Sequence, residues 1–340
     1  MRFYQLPQAS GIDSLVLSEC DTPRPGRRQV LVRMHAASLN YRDLLMVTGK
    51  YGRTPPRPGL VPLSDGAGEV VEVGPEVTRV KPGDRVAGIF MQGWLGGEMT
   101  AEAQATALGG AIDGVLADYA LFDEAGLVTI PPHLTYQEAA TLPCAAVTAW
   151  NALTVTRPVL AGDRVLVLGS GGVSIFALQM ARMMGAEVIA TSSSDAKIEK
   201  LKALGAAQAV NYRERPEWQD AVQELTGGKG VDHVIEVGGA GTLHRSLRSL
   251  RLGGIAHLIG VLTGPAAEIN PMIILQRSLT VHGVFVGSRE MFESMNKAIA
   301  HHKLRPVIDR VFPFAEARAA LHHLESQAHI GKVVIDIAAG

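Results

Sequence analysis

Between Asp163 and Met184 the hydrophobic pattern changes its period, and that change predicts the element around which the chain is organised. A charged edge, Asp163-Arg164, leads into four apolar residues, Val165 to Leu168, the length expected of a strand buried on both faces. Glycines follow at Gly169, Gly171 and Gly172. Val173, Phe176, Ala177, Met180, Ala181 and Met184 then recur at steps of three and four, which predicts a helix with one apolar stripe ended by Gly185. Further apolar runs at Val188–Thr191, Ala209–Asn211, Val231–Val237, Ile255–Ile259 and Leu279–Val286 predict five more strands with helical segments between them. Such alternation makes a doubly wound parallel sheet. Before about Ala125 the pattern differs: short strands such as Gln29–Met34 and Gly68–Val73 alternate with Gly/Pro turns, as in an antiparallel barrel. A helical pattern runs from Tyr136 to about Val155. After Gly287 a helix near Phe292 to His301, the stretch Val311-Phe-Pro-Phe314, a helix to Leu324 and a last strand, Lys332–Asp336, form a tail expected to return to the first domain.

Length and charge narrow the reading. A chain of 340 residues exceeds one ordinary core, so two domains are expected. We divide it into residues 1–140, a catalytic domain, residues 141–286, a nucleotide-binding domain, and the tail 287–340. The net charge of −1 and the lack of any basic block give no footing for nucleic acid or an anionic membrane, so a small-molecule partner is expected. The start shows no apolar core of signal-peptide length and no later run is long enough to span a bilayer. Only Cys20 and Cys144 are present, far apart, which favours a reduced, cytoplasmic setting over a disulfide scaffold.

The strand, glycine turn and helix after Asp163 would make a pyrophosphate cradle, because backbone N–H groups and the positive helix end face the anion with no side chain between. In the G-x-G-x-x-G pattern the third glycine is Ser174 here, so the turn alone is a weak signal. After the second strand, where an acidic residue would bind the ribose of NAD, the chain carries Ser192-Ser193-Ser194-Asp195 and then Lys197. Small hydroxyls and a cation suit a 2′-phosphate, so NADP(H) is favoured over NAD(H). The serines could equally cap the helix from Ala196 to Leu204, with Lys197 solvated, and both readings can hold together. Tyr212, after the third strand, could stack near the adenine or only cover an edge.

Taken in order, the motifs Asn40-Tyr-Arg-Asp43, Gly49-Lys-Tyr51, Pro62-Leu-Ser-Asp-Gly-Ala-Gly-Glu-Val70, Val80-Lys-Pro-Gly-Asp-Arg-Val86, Leu142-Pro-Cys-Ala-Ala-Val-Thr-Ala149, Gly169-Ser-Gly-Gly-Val173 and Gly331-Lys-Val-Val334 resemble the medium-chain dehydrogenase/reductase superfamily of zinc-type alcohol dehydrogenases and quinone oxidoreductases. The resemblance covers nearly the whole chain. It implies an α/β protein with a GroES-like β-barrel catalytic domain, a Rossmann domain and an active site in the cleft between them. It also implies cofactor contacts at Thr148, Gly171, Gly172, Val173, Ser192, Ser193, Lys197, Tyr212 and Val237. The nicotinamide would lie near Gly260-Val261 and Phe285-Val286, while Lys332 either reaches back to the cofactor or is solvated.

The departures from that family bear on chemistry. Its catalytic zinc ligands, a cysteine, a histidine beside a glutamate and a second cysteine, correspond here to Asn40, Ser64 beside Asp65, and Cys144. One thiol with an amide and a hydroxyl lacks the charge and softness that hold zinc. The four cysteines of its structural zinc lobe have no counterpart between Ile89 and Leu116, so no metal is expected. Hydrogen-bond donors must then stabilise charge on the substrate. By resemblance to zinc-free relatives the candidates are Tyr51, in a turn where Gly52 replaces the family's proline, and Asn40 with Tyr41 in the former ligand loop. A tyrosine phenol is protonated at neutral pH and can donate. The expected reaction is hydride transfer from NADPH to a quinone, an α,β-unsaturated carbonyl or an aldehyde. A zinc-dependent alcohol dehydrogenase and a non-catalytic NADPH-binding sensor are the alternatives. The apolar segment Phe90–Asp118 could line the cleft or cover the barrel, with the cleft favoured. His35, His133 and His233 read as surface or core histidines. The last parallel strand would be an apolar edge that needs covering, and relatives pair it across a two-fold, so a homodimer is expected.

Overall fold

The computed structural model of the protein describes residues 1–52, 55–264, 266 and 268–338, which fall into two compact units, Met1–Val147 with Gly287–Gly340, and Thr148–Val286.

The first unit opens with a two-stranded ribbon, β1 (Arg2–Gln5) and β2 (Val16–Glu19). Its main sheet is built from β3 (Gln29–Ser38), β4 (Asp65–Val73), β5 (Arg85–Gly88), β6 (Tyr119–Asp123) and β7 (Leu127–Thr129). The long β3 is the hub. One edge pairs antiparallel with β4, while the other takes β6 along Gln29–Arg33 and the tail along Ala36–Ser38. In the second unit, β8 (Arg164–Leu168), β9 (Glu187–Ser192), β10 (Gln208–Asn211), β11 (Val231–Glu236), β12 (Leu250–Leu258) and β13 (Thr280–Gly283) form one parallel sheet in the order β10-β9-β8-β11-β12-β13. That order reverses direction beside β8, the switch point at which such folds bind nucleotides. The tail adds β14 (Ile308–Pro313) and β15 (Lys332–Asp336), and β15 joins β3. Phe312, Phe314, Leu321, Val333 and Ile335 from the tail share a core with Val30, Val32, Met34, Val70 and Phe122. Among the described residues no helix is long and apolar enough to cross a membrane.

Several elements depart from the sequence pattern; β12, expected from Ile255, already begins at Leu250. The run Leu279–Val286 predicts one strand, but β13 stops at Gly283. Val286 adopts φ = 58°, a left-handed conformation that no ladder accepts. The helical pattern of Tyr136–Val155 is broken into a turn at Tyr136–Ala139, a π-helical turn at Leu142–Ala146 and a helix at Val147–Thr154. Pro143 has no N–H, and the next N–H, of Cys144, goes to Asp65 Oδ2 at 3.1 Å instead of into the helix. The segment Phe90–Asp118 is divided: Leu108, Val115 and Leu116 belong to the core cluster of the first unit, while residues 97–102, Met99 among them, are exposed.

His233 proves to be a core residue with a partner. On β11 and β12, His233 and His257 are fully buried, with His233 Nε2 3.3 Å from Asp163 Oδ2 and His233 Nδ1 3.2 Å from His257 Nε2. Donation from His257 Nε2–H to His233 Nδ1, and from His233 Nε2–H to Asp163, uses one proton per ring and leaves only His257 Nδ1 without a partner. Burial, then the neighbouring His233, His282 and Arg157, depress His257 to about 3, and burial likewise lowers His233. A folded-state value below the unfolded one penalises the native state only where the unfolded chain is protonated. Stability is therefore full above about pH 6.5 and lost as pH falls, by about 1.4 kcal/mol per pH unit for each histidine concerned. Thermal midpoints measured from pH 7 to 4 should fall less steeply for His257→Gln than for wild type; equal slopes would refute this assignment.

Candidate active site

In the second unit the cofactor candidates gather at the C-terminal ends of the strands. Gly169 has φ = +73°, which makes the tight turn out of β8, and the helix Gly172–Met183 follows with Gly171 at its N-cap. Gly171 is different. Its φ of −76° suits any residue, and a Cβ built there meets nothing within 4 Å. The fold does not require glycine at this place, so the free space beside the unpaired N–H groups of the first helical turn fits a pyrophosphate at close backbone approach. Ser174, where the motif has its third glycine, is buried and donates its hydroxyl to the Leu168 carbonyl at 2.6 Å. The serine thereby bonds strand to helix where a glycine would let them approach.

At the end of β9, Ser192 is buried, Ser193 half-buried, and Ser194 caps the helix Asp195–Ala203 by accepting the Lys197 N–H at 3.4 Å. The acidic side chain of this stretch, Asp195, accepts from Asn211 Nδ2 at 3.0 Å. Tyr212 donates its N–H to the Ser192 carbonyl, and its side chain is exposed. One of the three serines, Ser194, thus caps the helix, and Ser193, Lys197 and Tyr212 follow the ends of β9 and β10.

The far side of the sheet is held by a carboxylate that sequence reasoning missed. Glu236, fully buried at the end of β11, accepts from the N–H groups of Gly238 (2.7 Å) and Gly239 (2.9 Å), from Thr242 Oγ1 (2.7 Å) and from the Ser246 hydroxyl. This fixes the loop after Val237. Gly239 has φ = +87°, and a Cβ on Gly260 would lie 2.1 Å from the Val237 carbonyl, so these glycines answer to local packing. Val261 and Phe285 are exposed, Thr148 is buried, and the Val286 carbonyl accepts from Asn151 Nδ2 at 2.7 Å. The only signal for Glu236 in the sequence is an acidic residue ending an otherwise apolar run.

In the first unit, Asn40 precedes the helix Tyr41–Val47, and its N–H donates to Asp43 Oδ2 at 2.7 Å. Lys332, at the start of β15, is 3% exposed, which removes the solvated reading. Its ammonium donates to the Leu39 carbonyl and to Asn40 Oδ1. Asp65 is fully buried, accepting from Ser64 Oγ at 2.7 Å and from the Cys144 N–H. Burial raises the Asp65 carboxyl, against the pull of Lys332 first and then of Asn40, Ser64 and Cys144. Burial likewise pushes Asp43 up to about 6, opposed by Arg42. Asn40 Nδ2 is near enough to Asp65 to help hold its charge but makes no hydrogen bond of acceptable geometry, to Asp65 or to any other group. Arg42 lies between two rings, 4.5 Å from the centre of Phe90 and 5.1 Å from that of Tyr51, and donates to the Leu108 carbonyl at 2.9 Å. The structure thus joins Asn40 to Lys332 directly and leaves Tyr51 on Arg42. Tyr41 is exposed on the first turn of its helix.

Two family descriptions match this chain: "Alcohol dehydrogenase GroES-like domain" over residues 26–132 and "Zinc-binding dehydrogenase" over residues 172–301. A zinc-type alcohol dehydrogenase-like protein of Schizosaccharomyces pombe is 44% identical, with 99% of each chain covered. The chain belongs to the medium-chain dehydrogenase/reductase superfamily. A Sinorhizobium meliloti 1021 protein solved as a candidate alcohol dehydrogenase is 41% identical and superposes with a TM-score of 0.92 over 99% of this chain and 98% of the other. A solved NAD-dependent alcohol dehydrogenase is 32% identical, with a TM-score of 0.91 over 99% and 100%. This medium-chain dehydrogenase/reductase is therefore an oxidoreductase of the alcohol dehydrogenase and quinone oxidoreductase-like family, with a GroES-like domain and a Rossmann-type parallel sheet.

The family's zinc does not fit the donors present. In this medium-chain dehydrogenase/reductase the three ligand positions hold an amide, a hydroxyl already given to Asp65, and Cys144. Cys144 keeps some accessible surface, yet burial and then Asp65 push its thiol well above the ordinary range, so it stays protonated. Zinc takes thiolate, neutral imidazole or carboxylate at about 2 Å. The carboxylate beside these positions, Asp65, already accepts from Ser64 and the Cys144 N–H and lies in the field of Lys332.

Proposed function

We propose that the protein is a zinc-independent, NADPH-dependent reductase of quinones, α,β-unsaturated carbonyls or aldehydes. The observation that carries this reading is the buried Asn40 amide, whose NH2 group lies beside the Asp65 carboxylate without a well-formed hydrogen bond. A buried donor left unpaired costs about 1–3 kcal/mol, which a substrate oxygen would relieve. The Gly169–Val173 turn would hold the pyrophosphate, and Ser192, Ser193 and Lys197 the adenosine end, with Tyr212 covering it. Val237, Gly260, Val261, Phe285, Val286 and Thr148 would border the nicotinamide. When bound, NADPH supplies a hydride. The protein's part is to polarise the acceptor by donation from Asn40 Nδ2, to hold that amide still, and to deliver a proton from Tyr51 or water.

The choice of NADPH over NADH rests on this chain's own residues at the end of β9. Since one solved relative is NAD-dependent by name, the discriminating variant is Lys197→Ala. The NADPH dissociation constant should rise about 10-fold, the worth of one charge-assisted contact of about 1.4 kcal/mol, while that for NADH stays within about 2-fold. Equal losses for both would remove the 2′-phosphate role. Activity is tested by NADPH oxidation against a panel of quinones, enones and aldehydes, with zinc measured in the purified protein. Stoichiometric zinc would favour an alcohol dehydrogenase, and tight NADPH binding without turnover a sensor. The edge strand β13 carries exposed Val281, near exposed Phe285 and Leu275 (71% exposed), and we assign it to a homodimer contact.

A further inference from the structure

We propose that Glu236 and Thr263 are positioning residues for the hydride-donating half of the cofactor: together they tie the loops after β11 and β12 into one surface for its uncharged ring. The inference rests on the NADPH reading above and goes beyond it by naming the groups that hold that end of the dinucleotide in place.

The sheet order sets which loops these are. With the pyrophosphate on the turn after β8 and the adenosine at the end of β9, a dinucleotide crossing the switch point carries its second nucleotide to the other side of β8, where β11 and β12 end. Glu236 joins the two loops there. Its carboxylate takes the donors of the first loop, the N–H groups of Gly238 and Gly239 and the Thr242 hydroxyl, while its carbonyl accepts from Ile259 (2.8 Å) and Gly260 (3.2 Å) of the second. Thr263 closes the seam from the other end. Its N–H and its hydroxyl both donate to the Gly238 carbonyl, each at 2.8 Å, and the same hydroxyl accepts from the Gly241 N–H at 2.7 Å. The backbones touch directly: a Cβ on Gly239 would lie 2.8 Å from the Gly260 carbonyl.

This bonding decides what the surface can offer a ligand. The N–H groups of Gly238, Gly239, Gly241 and Thr263 are all spent within and between the loops, so none of them is left for a phosphate, unlike the open turn at Gly171. The second loop instead exposes the apolar side chains of Val261 and Leu262. Such a surface suits a flat, uncharged ring. Thr263 is itself exposed, so its hydroxyl serves the spacing of the two loops and not the core.

The test compares two ligands that differ only in the ring, NADPH and 2′-phospho-ADP-ribose, each titrated calorimetrically into the full-length protein. Thr263→Val should raise the NADPH dissociation constant about 10-fold while that of the fragment stays within about 2-fold. In the free variant, exchange of the Gly241 N–H with deuterium should quicken on the order of 10-fold. Thr263→Ser, which keeps the hydroxyl, should restore both. Glu236→Met should show the same split between ligands with a lower melting temperature. Glu236→Gln keeps an oxygen for the Gly238, Gly239 and Thr242 donors and turns its NH2 group to the Ser246 hydroxyl, so its NADPH affinity should stay within about 3-fold of wild type. Gly171→Val should lose both ligands alike. A merely structural role would move NADPH and the fragment together, so equal losses at Thr263→Val, or none, overturn the proposal even if Glu236→Met fails to fold. Wild-type protein that binds neither ligand takes down the cofactor reading as well, whereas wild type that binds both beside variants that do not discriminate takes down this proposal alone.

Discussion

Replacing Gly171 by valine should abolish useful NADPH binding while leaving the fold intact. The backbone at Gly171 has φ = −76° and ψ = 177°, which valine adopts without strain, and the added carbon meets no atom within 4 Å. As an N-cap without side-chain bonds it contributes little, so the stability change should stay within about 1 kcal/mol. The same empty space is where a pyrophosphate must approach the first-turn N–H groups of the helix Gly172–Met183. A branched side chain there holds the anion off. We expect the dissociation constant to rise on the order of 100-fold or more, equivalent to about 2.7 kcal/mol. Fluorescence titration with NADPH and a thermal melt decide it together. Unchanged affinity would mean the cofactor does not dock on this turn; a collapsed melt would mean the glycine serves the fold after all.

The second large effect is expected at Asn40. Its Oδ1 is taken by Lys332, its N–H by Asp43, and its NH2 group is the donor left for a ligand. Asn40→Asp keeps a capping oxygen and a partner for the ammonium but removes that donor. Turnover should fall on the order of 100- to 1,000-fold, the usual cost of losing one donor to a developing oxyanion, while NADPH affinity stays within about 3-fold. Asn40→Ala should lose as much turnover and in addition about 1 kcal/mol of stability with the cap. Steady-state kinetics on the best acceptor of the panel, with melts of both variants, test the assignment. If Asn40→Asp retains kcat within about 5-fold, the amide does not polarise the substrate.

Much of this molecule is legible in its periodicities. Runs such as Val165–Leu168 and Val333–Ile335 fall in strands β8 and β15 because a short uninterrupted apolar stretch suits a strand with both faces covered. The glycine turn and the motifs in order were enough to place the chain in its superfamily. Where the pattern overreached, at Leu279–Val286 and Tyr136–Val155, a backbone conformation or a missing N–H decided the boundary, and neither is encoded in hydrophobicity. The sequence by itself determined the superfamily and its two folds, and it supplied the proposals of a phosphate-binding turn and of a site without zinc, since each depends on residue type at short spacing. Only the tertiary structure decided that Lys332 is buried against Asn40 and the Leu39 carbonyl, that Gly171 faces empty space, and that Glu236 clamps its loop. The partners in the first of these stand hundreds of positions apart, and the charge of a lysine becomes chemically decisive only once folding has removed the water around it.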